Sequence, residues 1–185
     1  MPLTRMPVQL RIDSNGEPPT ASKVKAFDTS RRGPGSLPND WGGIWTATAK
    51  LDGTSSWCNA WMRRRFNAHL LHPEPARVYT VDNLDDIKRL AARYGAQGSI
   101  LNRIAEDYDA VHLTERGLRA AGARPWERNE PSDDGTPNQA YSAMFIAWNV
   151  ESTLWFKWCF HRTEPATRAA TRLAVMTQRA SALSD

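Results

Sequence analysis

Glu151 is the acidic side chain best placed for chemistry in this chain. It stands where the segment Ser152 to Phe160 begins, in which Leu154, Phe156, Trp158 and Phe160 alternate with Thr153, Trp155, Lys157 and Cys159. A period of two built from β-branched and aromatic residues marks a strand. A carboxylate at the edge of a rigid, half-buried sheet is well placed to meet a ligand, and water exposure of a strand end accounts for it equally well. Thr46 and Thr48 share one face of a second strand candidate, either as hydroxyl donors or as plain β-formers. Arg11 is either a ligand contact or an exposed strand residue, and Trp45 and Trp57 are either stacking platforms or core. His112 and Glu115 could form a general acid–base pair, but side-chain alternation puts them on opposite faces.

Several common chemistries lack their motifs. The chain has neither a GxxxxGK phosphate loop nor a dinucleotide GxGxxG, and neither a GxSxG elbow nor an HExxH helix. Cys58 and Cys159 are the only cysteines, and with His69, His72, His112 and His161 they make no zinc spacing. A reducing cytosol favours two thiols over a disulfide.

The 185 residues suit a single domain with a real core. No apolar run approaches the roughly 20 residues that span a bilayer, and the start MPLTRMPVQL lacks an apolar signal core. A cytoplasmic protein is therefore expected. The net charge is +4, carried almost wholly by arginine, with only five lysines. That balance is compatible with a nucleic-acid or acidic-protein partner and equally with a plain bias toward arginine. Arg63-Arg64-Arg65 is the local basic cluster worth testing, either a solvated helix face or a nucleic-acid or substrate contact.

The elements that must position these residues follow from periodicity and punctuation. Val8 and Leu10 alternate with Gln9 and Arg11 in a first strand. Residues 14–40 are rich in Gly, Pro, Ser and Asn and read as a long loop. Gly43 to Ala49 is the second strand, followed by a Gly53-Thr54-Ser55 turn and a helix from Ser56 to Phe66 that Pro73 and Pro75 end. Ala76 to Val81 is a strand. Asn83 caps a helix from Leu84 to Tyr94, whose stripe is Leu84, Ile87, Leu90, Ala91 and Tyr94, and Gly95 stops it. A helix over Ile100 to Asp107 and a strand over Asp109 to Thr114 follow, the latter ended near Gly117. Residues 120–138 read as a second polar loop. Tyr141 to Ala147 and Ser152 to Phe160 are the last two strands. The domain is expected over 1–163, with a C-terminal helix or tail over 164–185. Strands and helices mix without regular alternation. The expectation is an α+β fold with a mixed, mostly antiparallel sheet and a few short helices.

The order of these elements resembles a compact ADP-ribosyltransferase domain. Leu10-Arg11-Ile12-Asp13 is similar to the opening strand of such domains, whose Arg or His holds NAD. Gly43-Ile44-Trp45-Thr46-Ala47-Thr48, with Ser55-Ser56-Trp57 after it, looks like their strand of aromatic and hydroxyl residues leading into a helix. Arg77-Val78-Tyr79-Thr80-Val81 follows as the next strand, and Glu151 lies where the family has a glutamate near the start of a late strand. The resemblance spans roughly residues 8–160. The family's Glu-x-Glu pair is Asn149-Val150-Glu151 here, which suits an acceptor other than arginine.

The resemblance implies NAD as cofactor and Glu151 as the catalytic residue. Cleavage of the nicotinamide–ribose bond is oxocarbenium-like, as in glycoside cleavage, and a carboxylate near the ribose hydroxyls stabilises the growing positive charge. Arg11 would bind the pyrophosphate through a charge-assisted fork. Thr46 and Thr48 would bond the nicotinamide ribose or support Glu151, and Trp45 or Tyr79 would stack on the nicotinamide. The acceptor would be a macromolecule, protein or nucleic acid, as for a toxin or a phage-encoded modifier. The rival expectation is a non-enzymatic binding protein or inhibitor that engages an acidic protein or nucleic-acid surface through Trp and Arg residues.

Overall fold

The computed structural model describes residues 2–13, 17–28, 41–57, 67–95, 100–121, 145, 148 and 150–182. In chain order the elements are β1 (Gln9–Asp13), β2 (Ile44–Thr48), β3 (Asn67–Pro73), β4 (Val78–Val81), α1 (Leu84–Tyr94), α2 (Ile100–Asp107), β5 (Ala110–Leu113), α3 (Glu115–Ala120), β6 (Ser152–Trp155), β7 (Phe160–Pro165) and α4 (Arg168–Ala182). The strands form one seven-stranded sheet in the order β4-β5-β6-β2-β1-β3-β7. Only β4 and β5 run parallel; every other neighbouring pair is antiparallel. This is the α+β class with the mixed, mostly antiparallel sheet that the element order implies.

The parallel pair explains the helices beside it. Parallel strands need a crossover connection, and α1 with α2 supplies it. The Asn83 side chain accepts from the Asp85 and Asp86 amides at 2.9 and 3.1 Å, and Asp86 returns a bond to the Asn83 amide at 3.1 Å. This capping box satisfies donors that a helix start otherwise leaves open. Gly95, at a φ of 85°, ends α1, its amide donating to Ala91. Ile87, Leu90 and Tyr94 of α1 and Ile100, Leu101 and Ile104 of α2 pack into one core with Trp45, Val81, Val111, Leu113 and Leu154. Those strand residues define the outer face of the sheet. α4 covers the same face further along. Its Val175 joins Val8, Leu10, Ala49 and Leu70, while Leu173 and Met176 stay exposed.

The opposite face is the inside of a curl. Ile44, Leu71, Ala110, Trp155 and Phe160 cluster there. Trp155 of β6 and Phe160 of β7 meet at 4.7 Å between ring centroids although β2, β1 and β3 lie between their strands in the sheet order. The sheet therefore folds back on itself around this cluster.

Three expectations are corrected. Asn67–Pro73 is a strand, β3. Its centre is buried on both faces, with Leu70 in the core under α4 and Leu71 in the inner core, so no polar alternation advertises it. The late strand ends at Trp155 rather than Phe160. The Phe156 amide turns to the Asp109 carbonyl at 2.9 Å, and the chain restarts as β7 across residue 163. Gly117 does not end the strand, which stops at Leu113, but lies inside α3, capped by Thr114, whose hydroxyl accepts from the Gly117 amide at 3.0 Å. Within the expected loop 14–40, the described residues 17–28 hold one 3-10 turn, at Ala21–Lys23. The expected helix from Ser56 is described only at Ser56 and Trp57, and Arg63 to Arg65, most of 120–138 and most of the Tyr141–Ala147 segment lie outside the described residues. Among the described residues no helix is long and apolar enough to cross a membrane.

Candidate functional site

Glu151 sits one residue before β6, is 8% exposed and is held from two sides. Its Oε1 accepts from the Thr48 hydroxyl at 2.8 Å and from the Thr48 amide at 3.3 Å. Its Oε2 accepts from the Ser56 hydroxyl at 3.0 Å. The clamp follows from topology. Antiparallel pairing of β2 with β6 sets Thr46 against Thr153, so the end of β2 and the approach to β6 meet, and Ser56 enters from the turn after β2. Hydrogen bonds to a carboxylate are stronger than neutral ones, so a buried anion is tolerated here because three donors face it.

Strand alternation sorts the neighbouring side chains. Thr46, Thr48, His112 and Thr153 have the parity of Ile44, Ala110 and Trp155, which places them on the inner face. His112 is paired with Thr153 in the β5–β6 register, and its Nδ1 lies 2.9 Å from the Thr153 hydroxyl and 3.8 Å from Glu151 Oε1. Burial lowers the His112 pKa from its usual value, opposed by the charges of Glu151 and Asp82. The site is thus a buried anion with a neutral imidazole at its side.

The structure brings Glu151 and Thr48 together and distributes the other expected residues elsewhere. Thr46 is fully buried; its hydroxyl donates to Gln9 at 2.7 Å and accepts from the Trp155 indole at 2.9 Å. Arg11 reaches across from β1, its Nη1 donating to the Trp45 carbonyl at 3.3 Å. The β1–β2 register covers only Gln9 with Thr48 and Leu10 with Ala47, so this arginine bridges strands that have begun to part. Trp45 points to the outer face and packs edge-on against Trp148 at 4.6 Å. Tyr79 lies on edge strand β4, two strands from β6. It donates to the Asp86 carbonyl at 2.8 Å and lines an open groove of about 290 Å³ with Thr4, Thr80, Arg89 and Tyr108.

Two residues of the site lack a sequence signal for their role. Ser56 reads only as a helix start, and its bond to Glu151 crosses 95 positions. His112 reads as a partner to be tested with Glu115, whose side chain is 54% exposed and lies 4.0 Å from Lys50; its carboxylate neighbour is Glu151 instead. Among the described residues no group of His, Cys, Asp and Glu is arranged to hold a metal ion.

No family model matches the chain, and no curated protein and no solved structure matches it.

Proposed function

We propose that the chain is an NAD-dependent ADP-ribosyltransferase acting on a macromolecule, of the kind used as a toxin or phage-encoded modifier, with Glu151 as its catalytic carboxylate. The observation that carries this reading is the clamp of Glu151 by Thr48 and Ser56. The three elements of the resemblance, the arginine strand, the hydroxyl strand and the glutamate, are far apart in sequence and adjacent in the sheet as β1, β2 and β6.

The donor set suits NAD. A carboxylate offers about four lone-pair sites, and the bonds from Thr48 and Ser56 fix its orientation and leave acceptor capacity that a sugar hydroxyl would use. NAD, when bound, supplies a nicotinamide–ribose bond whose cleavage develops positive charge on the sugar. Glu151 would face that charge as a preorganised anion, whose value is greatest where water is excluded. Thr48 and Ser56 keep it from rotating away. Arg11 lies on β1, with β2 between it and β6, and donates to the Trp45 carbonyl at the end of β2 opposite Thr48; in this reading it would supply the permanent cation for the pyrophosphate. Trp45 and Tyr79 have no part in this reading, because the outer core holds one and the far sheet edge holds the other.

The rival reading through exposed tryptophans draws little support. Trp41, Trp45, Trp148 and Trp155 are buried, and Trp57 and Trp158 pack against cores, so among the described residues tryptophan builds the interior.

Nicotinamide release from NAD by the purified chain tests the proposal, with Glu151→Gln alongside. Loss of a transition-state charge contact costs roughly 10²-fold or more in turnover. Equal turnover by the two proteins ends the assignment of Glu151.

A further inference from the structure

We infer that His112 is a positioning residue for Glu151, its imidazole edge fixed by Thr153 and directed at the carboxylate; this rests on the reading of Glu151 as the working carboxylate. The groups come from adjacent strands in a set register. His112 of β5 faces Thr153 of β6, and Glu151 is the next residue of the same parity toward the start of β6. The His112 and Glu151 side chains are 12% and 9% exposed. Solvent and salt therefore screen their interaction weakly.

Distance decides the kind of interaction. At 2.9 Å, Nδ1 and the Thr153 hydroxyl are hydrogen-bonded. At 3.8 Å, Nδ1 and Oε1 of Glu151 are too far apart for a hydrogen bond and close enough for strong electrostatics. An anion at that distance favours the tautomer with its proton on Nδ1, so the N–H donates to Thr153 with its positive end toward Glu151. The neutral ring then supports the anion without taking Oε1 from Thr48.

The charged groups that bear on His112 are Glu151 before β6 and Asp82 after β4, the latter 3.3 Å from Arg116 of α3. Burial outweighs both anions and keeps the ring neutral at neutral pH. Protonation adds a full positive charge beside Oε1. The carboxylate then becomes half of an ion pair, and Thr48 and Ser56 compete with a cation for it. The active arrangement is thus the one with neutral His112, and acid removes it.

Histidine NMR titration on the intact chain tests this without NAD. The His112 resonance, assigned through His112→Asn, is followed against pH in the wild type, in Glu151→Gln and in Thr153→Val. Removing the carboxylate charge is expected to lower the His112 midpoint further, by roughly half a pH unit or more. A midpoint in Glu151→Gln that stays within roughly 0.2 unit of wild type overturns the coupling. Thr153→Val should broaden or shift the Nδ1 resonance, and an unchanged resonance overturns the hydrogen bond that fixes the ring. In the activity arm, wild-type NAD turnover should fall on the acid side through the His112 midpoint. His112→Asn should lower kcat more than it raises KM and flatten that limb. An intact limb in His112→Asn overturns the positioning role, whereas loss of the NAD dependence on Glu151 overturns the enzymatic reading and leaves the NMR coupling standing.

Discussion

Thr48 and Glu151 are 103 positions apart in the chain, yet Thr48 donates to the same carboxylate oxygen through both its amide and its hydroxyl. The arrangement ties the end of β2 to the start of β6 at the centre of the sheet. It makes the carboxylate a structural as well as a chemical group, because an anion this buried is stable only with its donors in place.

Thr48→Val keeps the shape and the amide donor and removes the hydroxyl. A hydrogen bond to a charged group contributes about 1.5–3 kcal/mol, so urea unfolding should show a loss in that range. Nicotinamide release should fall with it, since Oε1 is then held by the amide alone. Thr46→Val is the control. It removes a neutral bond to Gln9 and the Trp155 partner, so it should affect stability more than chemistry. Equal losses of turnover in the two variants would contradict the separate roles of Thr46 and Thr48.

Gly117 shows how tightly α3 is seated. A β-carbon there would lie 2.0 Å from the Val81 carbonyl oxygen, a backbone atom that cannot swing aside. Alanine is better than glycine inside a helix by about 1 kcal/mol, yet Gly117→Ala is expected to destabilise, since overpacking against a fixed neighbour costs roughly 1–3 kcal/mol. A rise in melting temperature would refute the close packing of α3 on β4.

Asp109 gives the fold a defined response to acid. Its carboxylate accepts from the Arg77 amide at 2.8 Å and from the Arg77 guanidinium at 3.0 Å, and Lys157 approaches to 2.6 Å. Burial works against the anion, but these partners outweigh it and bring the pKa down to about 2. The folded value lies below the unfolded one, so this stabilisation is full above about pH 4. It is lost as pH falls through about 2. The contribution is on the order of 1–2 kcal/mol after allowance for solvent screening of the exposed partners. Denaturant unfolding at a series of pH values should show it, and Asp109→Asn should flatten the slope between about pH 4 and 2. An unchanged slope would show that the carboxylate is not held.

What the sequence discloses and what it hides follow one physical line. α1 is legible because its signals are local: the Asn83 cap, the apolar stripe and Gly95. β1 is legible because Val8 and Leu10 alternate with Gln9 and Arg11, and β2 because a double glycine, Gly42-Gly43, marks its start. β3 is hidden because both its faces are buried, so Leu70 and Leu71 stand side by side where alternation would place a polar residue. The break after Trp155 is hidden because Trp158 and Phe160 keep the period of two while the backbone turns aside to Asp109. The candidate site is half legible: the position of Glu151 ahead of a strand can be read, and the resemblance implies Thr48 as its support, but Ser56 and His112 carry no signal for their roles. Ser56 reaches it from the turn after β2 and His112 through the β5–β6 register, and pairing between distant segments leaves no local trace.

The docking of α4 supplies a last test, directed at the C-terminal segment. Gln178 bridges to β1's approach, accepting from the Val8 amide at 2.7 Å through its side-chain oxygen and donating to the Met6 carbonyl at 2.8 Å through its side-chain nitrogen. Met6 and Val8 are buried, so water cannot readily replace either bond. Gln178→Ala strands an amide and a carbonyl together and is expected to cost about 1–3 kcal/mol. Gln178→Glu separates the two contacts. It can still accept from Val8, but it sets a carboxylate against the Met6 carbonyl, so it should destabilise most at neutral pH and recover as acid protonates the carboxylate. Urea unfolding of both variants at pH 7 and pH 4 decides the matter: wild-type stability in Gln178→Ala would mean that the helix is held by Val175 and its neighbours alone.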